Sequence, residues 1–291
     1  MRIAFFPGCV IPIRYPGIEA ATRFLAAKTG LDLVDMSFHC CPSPTGLKEA
    51  SAGAWFALAL ANLRMAEAEG LDVVTICSGC GNTLREARKI YCGDEDKRAA
   101  VRELFDGEAF QGRTDVHHLP DLLARDETLD RLEAECVRPL EGLRVATHYG
   151  CHYFRPSSVM GGEDGSPEYP LPESMELILE SLGAEIVDYG RPDLCCGAAL
   201  AYNVGKTDES LRVLSEKLDE ITRAEADAIV TPCPACLAQF DAGQSALGRK
   251  DKDQKLTPVY HIAELVACAL GADLKRLDGK RHKVKAPLLL T

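Results

Sequence analysis

Across 291 residues, 46% hydrophobic and 26% charged side chains describe a globular chain long enough for two domains, and no apolar run approaches the roughly 20 residues that span a bilayer. A formal net charge of -11 argues against nucleic acid as a partner, because binding phosphates requires a basic stripe. The N-terminal MRIAFFPGCVIPIRYPG lacks the form of a signal peptide, so the chain reads as cytoplasmic; in that reducing compartment 13 cysteines point to metal binding or redox chemistry rather than structural disulfides.

In chain order, the apolar run RIAFF leads into Cys9, and LDLVDM is followed by the adjacent pair Cys40-Cys41. LDVVTI then ends on the C-x-x-C of Cys77 and Cys80. A helix is expected after it, with Asn82 or Thr83 as cap and Glu86 completing a capping box. VHHLPDLLA closes this half. Past VRPLEG the pattern recurs: RVATHYGC carries Cys151, AEIVDY precedes Cys195-Cys196, ADAIVTPCPAC carries Cys233 and Cys236, and VYHIAELVA answers VHHLPDLLA. Met175, Ile178, Leu179 and Leu182, and later Leu211, Leu214, Leu218 and Ile221, have helical spacing.

The order C, CC, C-x-x-C occurs twice, so the chain reads as an internal duplication with domains 1–140 and 141–291. Short Val- and Ile-rich runs alternating with helical segments predict an α/β class: two repeated Rossmann-like domains, each with a parallel sheet. The cysteine loops then lie at the carboxyl ends of the strands, where sites form in open α/β sheets.

Adjacent residues on an extended chain point to opposite faces and rarely form a relaxed disulfide, so the paired cysteines need another use. Zinc takes four ligands in a tetrahedron, which leaves one of five cysteines spare in each half. An iron–sulfur cluster of unusual geometry can use all five, and equal use in both copies favours it. Metal-free dithiol exchange is the third alternative.

The duplicated motif, with CCG at Cys195-Cys196-Gly197 and YGCHY at Tyr149 to Tyr153, resembles the cysteine-rich (CCG) domain family. Over its whole length the chain is similar to the catalytic, B-type subunits of heterodisulfide reductase, and GCVIPIRYPGIEAATR resembles their N-terminal segment. The resemblance implies two noncubane [4Fe-4S] clusters, one on Cys9, Cys40, Cys41, Cys77 and Cys80, the other on Cys151, Cys195, Cys196, Cys233 and Cys236. It further implies reductive cleavage of the disulfide of coenzyme M and coenzyme B, held between the clusters. The implied partners are a ferredoxin-like C-type subunit and a flavin-bearing A-type subunit. The alternatives are a heterodisulfide-reductase-like component of a sulfur-oxidation complex, and a non-catalytic electron-relay or zinc-stabilised protein. Two departures stand out: the first pair reads HCCPSP rather than CCG, and the second copy carries the extra loop MGGEDGSPEYP, which lacks the features of a phosphate loop.

His148, His152 and His39 adjoin the cysteines, either as proton donors and hydrogen-bond donors to a cluster or as packed histidines. His118 and His261, at equivalent places in the repeat, read as structural. Arg14, Arg155 and Lys206 lie near the cysteine loops and are either binding groups for the substrate's sulfonate and phosphate or ordinary surface charges. Cys92, Cys136 and Cys268 fall outside the repeat and read as small buried apolar residues, and the basic GKRHKVK reads as a solvated tail.

Overall fold

The apolar runs of the first half form a parallel sheet in a computed structural model that describes residues 1–43, 45–105, 110–160, 172–202, 204–252, 255–274 and 281–290. Its strands are β1 (Arg2–Phe6), β2 (Asp32–Asp35), β3 (Val73–Thr75) and β4 (Val116–His118), in the order β2-β1-β3-β4. The second half repeats this with β5 (Arg144–Thr147), β6 (Glu185–Ile186), β7 (Ala228–Thr231) and β8 (Val259–His261), ordered β6-β5-β7-β8. The register repeats as well: Ala4 pairs with Val73 and Ala146 with Ile229, while Thr75 pairs with His118 and Thr231 with His261. Central strands buried on every residue, such as β3 and β7, are what a parallel sheet covered on both faces demands. The α/β class with two parallel sheets is as the sequence predicts.

Contacts divide the chain into two compact units. One comprises Met1–Cys9, Leu31–Leu119 and His152–Pro170; the other comprises Val10–Gly30, Pro120–Cys151 and Leu171–Thr291. Each sheet falls in one half of the sequence, on its own side of position 140, while the compact units exchange segments. In the first unit Phe6, Trp55, Phe56, Leu60, Leu63 and Leu84 belong to one buried cluster. In the second, Met175, Ile178 and Leu179 are buried on the helix Ser174–Ser181, and Leu214, Leu218 and Ile221 on the helix Thr207–Arg223, in agreement with their spacing. The helix Pro16–Thr29 packs against the helix Ile262–Ala269 within the second unit.

The C-terminal basic run is not a solvated tail. His282 and Val284 are buried, the backbone N–H groups of Lys283 and Val284 donate to the buried Asp241 carboxylate at 2.7 and 2.8 Å, and Arg281 Nη1 donates to the Arg14 carbonyl at 3.3 Å. A buried carboxylate can accept several backbone donors at once, and that outweighs the solubility of an interleaved Arg-His-Lys sequence. His282 Nε2 also lies 3.3 Å from Glu264 Oε1, both side chains fully enclosed. No helix among the described residues is long and apolar enough to cross a membrane.

Candidate metal centres

In a sheet ordered β2-β1-β3-β4 the chain leaves β1 toward one side and later enters β3 on the other, so the carboxyl ends of β1 and β3 bound the crevice where ligands bind. Cys9 follows β1 and Cys77 follows β3; Cys151 and Cys233 stand in the same relation to β5 and β7. At the end of β3 the Thr75 hydroxyl accepts a hydrogen bond from the Cys77 backbone at 3.3 Å, and Thr231 does the same for Cys233 at 3.4 Å. Cys77 and Cys233 are themselves the N-caps of the helices Ser78–Gly93 and Pro234–Lys250. Neither makes a side-chain capping bond, which leaves first-turn amides to favour negative sulfur.

The helix after the first C-x-x-C therefore starts earlier than the capping residues chosen from the sequence. Asn82, Thr83 and Glu86 lie within it and serve other ends: Asn82 donates to the Arg155 carbonyl, Thr83 to the Pro42 carbonyl, and Glu86 pairs with Lys48 at 2.6 Å.

The remaining cysteines are brought to these helix starts. In the first unit Cys80 Sγ is 3.1 Å from Cys41 Sγ, Cys80 also bonds Cys77, and Cys40 bonds both Cys41 and Cys9. The five sulfurs thus form one continuous series: Cys9, Cys40, Cys41, Cys80, Cys77. In the second unit the series is Cys151, Cys195, Cys196, Cys236, Cys233, with 3.4 Å between Cys196 and Cys236. The order is the same in both.

Crowding of this kind drives thiol acidities apart. Hydrogen bonding with Cys41, then burial, raises Cys40; hydrogen bonds with Cys41 and Cys77, then burial, raise Cys80; and Cys196, Cys233 and burial raise Cys236. Cys195 moves the other way, down to about 2, because Cys151 and Cys196 donate to it and Gly197 adds a backbone N–H at 3.3 Å. Five adjoining sulfurs become thiolates together only around a cationic centre.

The backbone leaves room for such a centre. Gly8 and Gly150 have φ of +74° and +78°, and a Cβ on either would stand 3.0 Å from Cys80 Sγ or 2.9 Å from Cys236 Sγ. Gly150→Ala is expected to cost about 1–3 kcal/mol of stability through the left-handed backbone alone. It should also lower the iron retained per chain, measured by metal analysis beside denaturant unfolding. Gly197 has φ +85°, with a Cβ position 2.8 Å from the Ser210 carbonyl, which explains the glycine of the CCG triplet.

The loops before the paired cysteines are anchored by residues that the sequence reading missed. Asn62 accepts from the His39 backbone at 2.7 Å and donates to the Cys40 carbonyl at 3.2 Å. At the matching place in the second unit the buried Lys217 Nζ donates to the carbonyls of Arg191 and Pro192 at 3.0 and 2.7 Å. Both are polar residues on the buried face of a helix, and that is the signal that would have found them. Glu176 ties down the end of β5 by accepting from Thr147 and Tyr149. Burial, then Glu176, pushes the Tyr149 phenol up.

Of the predicted histidines, His148 is buried, with a ligand nitrogen within 4.8 Å of the Cys196 and Cys236 sulfurs, and neither ring nitrogen has a hydrogen-bond partner among the described residues. Burial, then Lys217, lowers its pKa to about 3, so the ring is a neutral imidazole. His152 is half-buried in the helix Cys151–Phe154, and His39 is exposed. Arg14 is half-buried with its guanidinium 5.4 Å from the Tyr15 ring, Arg155 is exposed with its guanidinium 5.3 Å from the Phe154 ring, and Lys206 pairs with Glu209 at 3.6 Å. His118 is buried with its ring 4.9 Å from that of Tyr153, and His261 caps the helix Ile262–Ala269 in a reciprocal capping box with Glu264. Of the cysteines outside the repeat only Cys268 is buried; Cys136 is half-buried, and Cys92 is exposed, contrary to its reading as a core residue. The loop MGGEDGSPEYP, apart from Met160, lies outside the described residues.

Comparison with known proteins agrees with this geometry. The cysteine-rich (CCG) domain family matches residues 3–85 and 145–241, which hold the two sulfur sites and the first three strands of each sheet but not β4 or β8. The chain is 36% identical over 98% of its length, and 94% of the relative's, to the B-type subunit of the Ferredoxin/F(420)H(2)-dependent CoB-CoM heterodisulfide reductase of Methanosarcina acetivorans. It is 31% identical to the 8-methylmenaquinol:fumarate reductase membrane anchor subunit of Wolinella succinogenes, across 97% of this chain and 96% of that one. A crystal structure of a hypothetical protein from Helicobacter pylori shares the fold, with a TM-score of 0.77 at 14% identity, over 98% of this chain and 52% of that one. Two matched CCG regions, each enclosing one five-sulfur series, support iron–sulfur binding and an oxidoreductase role within a multi-subunit reductase. The chain belongs to the cysteine-rich CCG-domain family and is a relative of the B-type subunits of heterodisulfide reductase.

Proposed function

We propose that this chain is the disulfide-cleaving subunit of a heterodisulfide reductase complex, each of its two repeated halves holding one noncubane [4Fe-4S] cluster. One set is Cys9, Cys40, Cys41, Cys77 and Cys80; the other is Cys151, Cys195, Cys196, Cys233 and Cys236. The observation that carries this reading is the identical order of five sulfurs in two units, one more than a tetrahedral zinc site employs. When bound, each cluster supplies one electron at a time and an electrophilic iron for one product thiolate.

The reaction is R–S–S–R′ + 2 e⁻ + 2 H⁺ → RSH + R′SH, and two one-electron centres match its two-electron demand. The paired cysteines would give a bound cluster two neighbouring thiolate ligands, while Gly8 and Gly150 keep the space beside Cys80 and Cys236 free. His39 and His152 are the proton donors in this scheme, being exposed or half-buried, and the enclosed neutral His148 stands with a ring nitrogen within 4.8 Å of the Cys196 and Cys236 sulfurs. Arg14 and Arg155, with Lys206 held by Glu209, are the cations for the anionic ends of the coenzyme M–coenzyme B disulfide. Electrons arrive from a ferredoxin-like partner of the C type, itself supplied by a flavin-bearing partner of the A type.

The kinship with a fumarate reductase anchor protein favours a second reading, an electron relay without a disulfide substrate. Anaerobic assay of the iron-loaded chain with reduced viologen dye and the coenzyme M–coenzyme B disulfide separates the two. Two thiols per two dye equivalents are expected. Clusters that exchange electrons with the dye while the disulfide stays intact would establish the relay instead.

A further inference from the structure

The two sulfur sites repeat in order but differ in what surrounds them. Position by position in the repeat, the buried amide Asn62 of the first unit is replaced by the buried Lys217 in the second, and the buried Phe6 by His148. Pro42, which follows the first pair and has no N–H, is replaced by Gly197, whose N–H donates to Cys195 Sγ at 3.3 Å. At these positions the lysine brings a positive charge and Gly197 an N–H dipole to the second site, where the first has an amide and a proline.

Lys217 has the surroundings of an ammonium. It donates to two carbonyls, and its Nζ lies 5.0 Å from the Tyr189 ring centre. Burial lowers its pKa to about 8, and the charges of Cys196, Cys236 and Cys195 act to hold it protonated. Asp193, the carboxylate that acts on Lys217, is half-buried and partly screened by water. An added electron makes a thiolate-bound cluster more negative, so a fixed cation and N–H donors to sulfur stabilise the reduced form. The second site is also the more enclosed: Cys9 and Cys40 are exposed, whereas Cys151 and Cys195 are half-buried. Enclosure alone disfavours added charge, but it also removes the water that would screen Lys217, which strengthens the cation's hold.

We propose that Lys217 is a positioning residue that sets the reduction potential of the Cys151–Cys236 cluster above that of the Cys9–Cys80 cluster, so the second site takes the first electron from a one-electron donor. This rests on the two-cluster reading above. The Gly197 amide acts in the same direction. The two repeats are thereby not interchangeable: one is the electron-retaining site and the other the stronger reductant.

The test is a potentiometric titration, followed by electron paramagnetic resonance, of iron-loaded chains that keep one cluster each: Cys41→Ser for the second site and Cys196→Ser for the first. The second site is expected to be at least tenfold more reduced at a given potential, about 59 mV for one electron. Lys217→Gln, which keeps a donor for the two carbonyls and removes the charge, should lower it; Lys217→Arg should restore it. Asn62→Lys should raise the first site. Equal midpoints with each chain holding its one cluster's iron, or a Lys217→Gln chain with that iron undiminished and an unmoved midpoint, would overturn the inference alone. If Lys217→Gln fails to retain iron, the Asn62→Lys chain decides, and an unmoved first-site midpoint overturns it. Absence of iron and sulfide from both backgrounds would overturn the cluster reading together with this inference.

Discussion

Cys196→Ser is expected to remove one of the two clusters and to abolish disulfide reduction. Cys196 sits at the centre of the second series, bonded to both Cys195 and Cys236, and its side chain is buried beside His148. A serine hydroxyl does not ionise near neutral pH and is a poor partner for iron, so the series is cut into two short pieces. Iron per chain should fall by about half, and turnover by more than about 100-fold, the upper end of what loss of a mere outer-sphere partner costs. Metal analysis and the viologen-linked assay on the same preparation check both. Full iron with undiminished turnover would remove Cys196 from the ligand set. The matching change in the first unit, Cys41→Ser, should halve the iron as well.

The second large effect lies away from the cysteines. Glu264 is fully buried, accepts from the His261 backbone at 2.8 Å and faces His282 at 3.3 Å, so it joins a helix cap to the C-terminal segment. Burial pushes its carboxyl up, but His282 and the His261 backbone more than offset this and leave it below its ordinary value. A depressed carboxylate pKa contributes stability that is present above the unfolded value of about 4.5 and is lost as pH falls through the folded one. Glu264→Ala strands the partners in a dry environment and should cost about 3–5 kcal/mol, a large share of a total that is roughly 5–15 kcal/mol for a domain. Denaturant unfolding should show that loss at pH 7 and a much smaller difference between variant and parent in strong acid. A variant as stable as the parent at pH 7 would show that the pair carries no net weight.

The cysteine pattern was legible because strand ends and helix starts leave their mark on spacing. A strand end fixes Cys9 and Cys77, the helix start fixes the C-x-x-C, and a duplicated order of five is hard to obtain otherwise. The strand and helix alternation followed from apolar period alone. What stayed hidden were features that depend on who pairs with whom. Asn82 and Thr83 look like caps, yet Cys77 starts the helix, because the strand ends at Thr75 and the chain turns there. The basic tail looked soluble, yet Asp241 gathers its backbone N–H groups. The segment Val10–Gly30 reads as part of the first repeat but is grouped with the second unit, where its helix meets Ile262–Ala269. Lys217 shares the buried face of Leu214, Leu218 and Ile221, and a lysine on an apolar stripe is the one sign of it that spacing carries.

That ten cysteines hold two clusters is decided by the iron, acid-labile sulfide and zinc found per chain after anaerobic purification. About eight irons with a comparable amount of sulfide and little zinc are expected, four irons for each five-cysteine series. Roughly one or two zinc ions per chain with almost no sulfide would contradict it, and would make the sulfur series structural zinc sites.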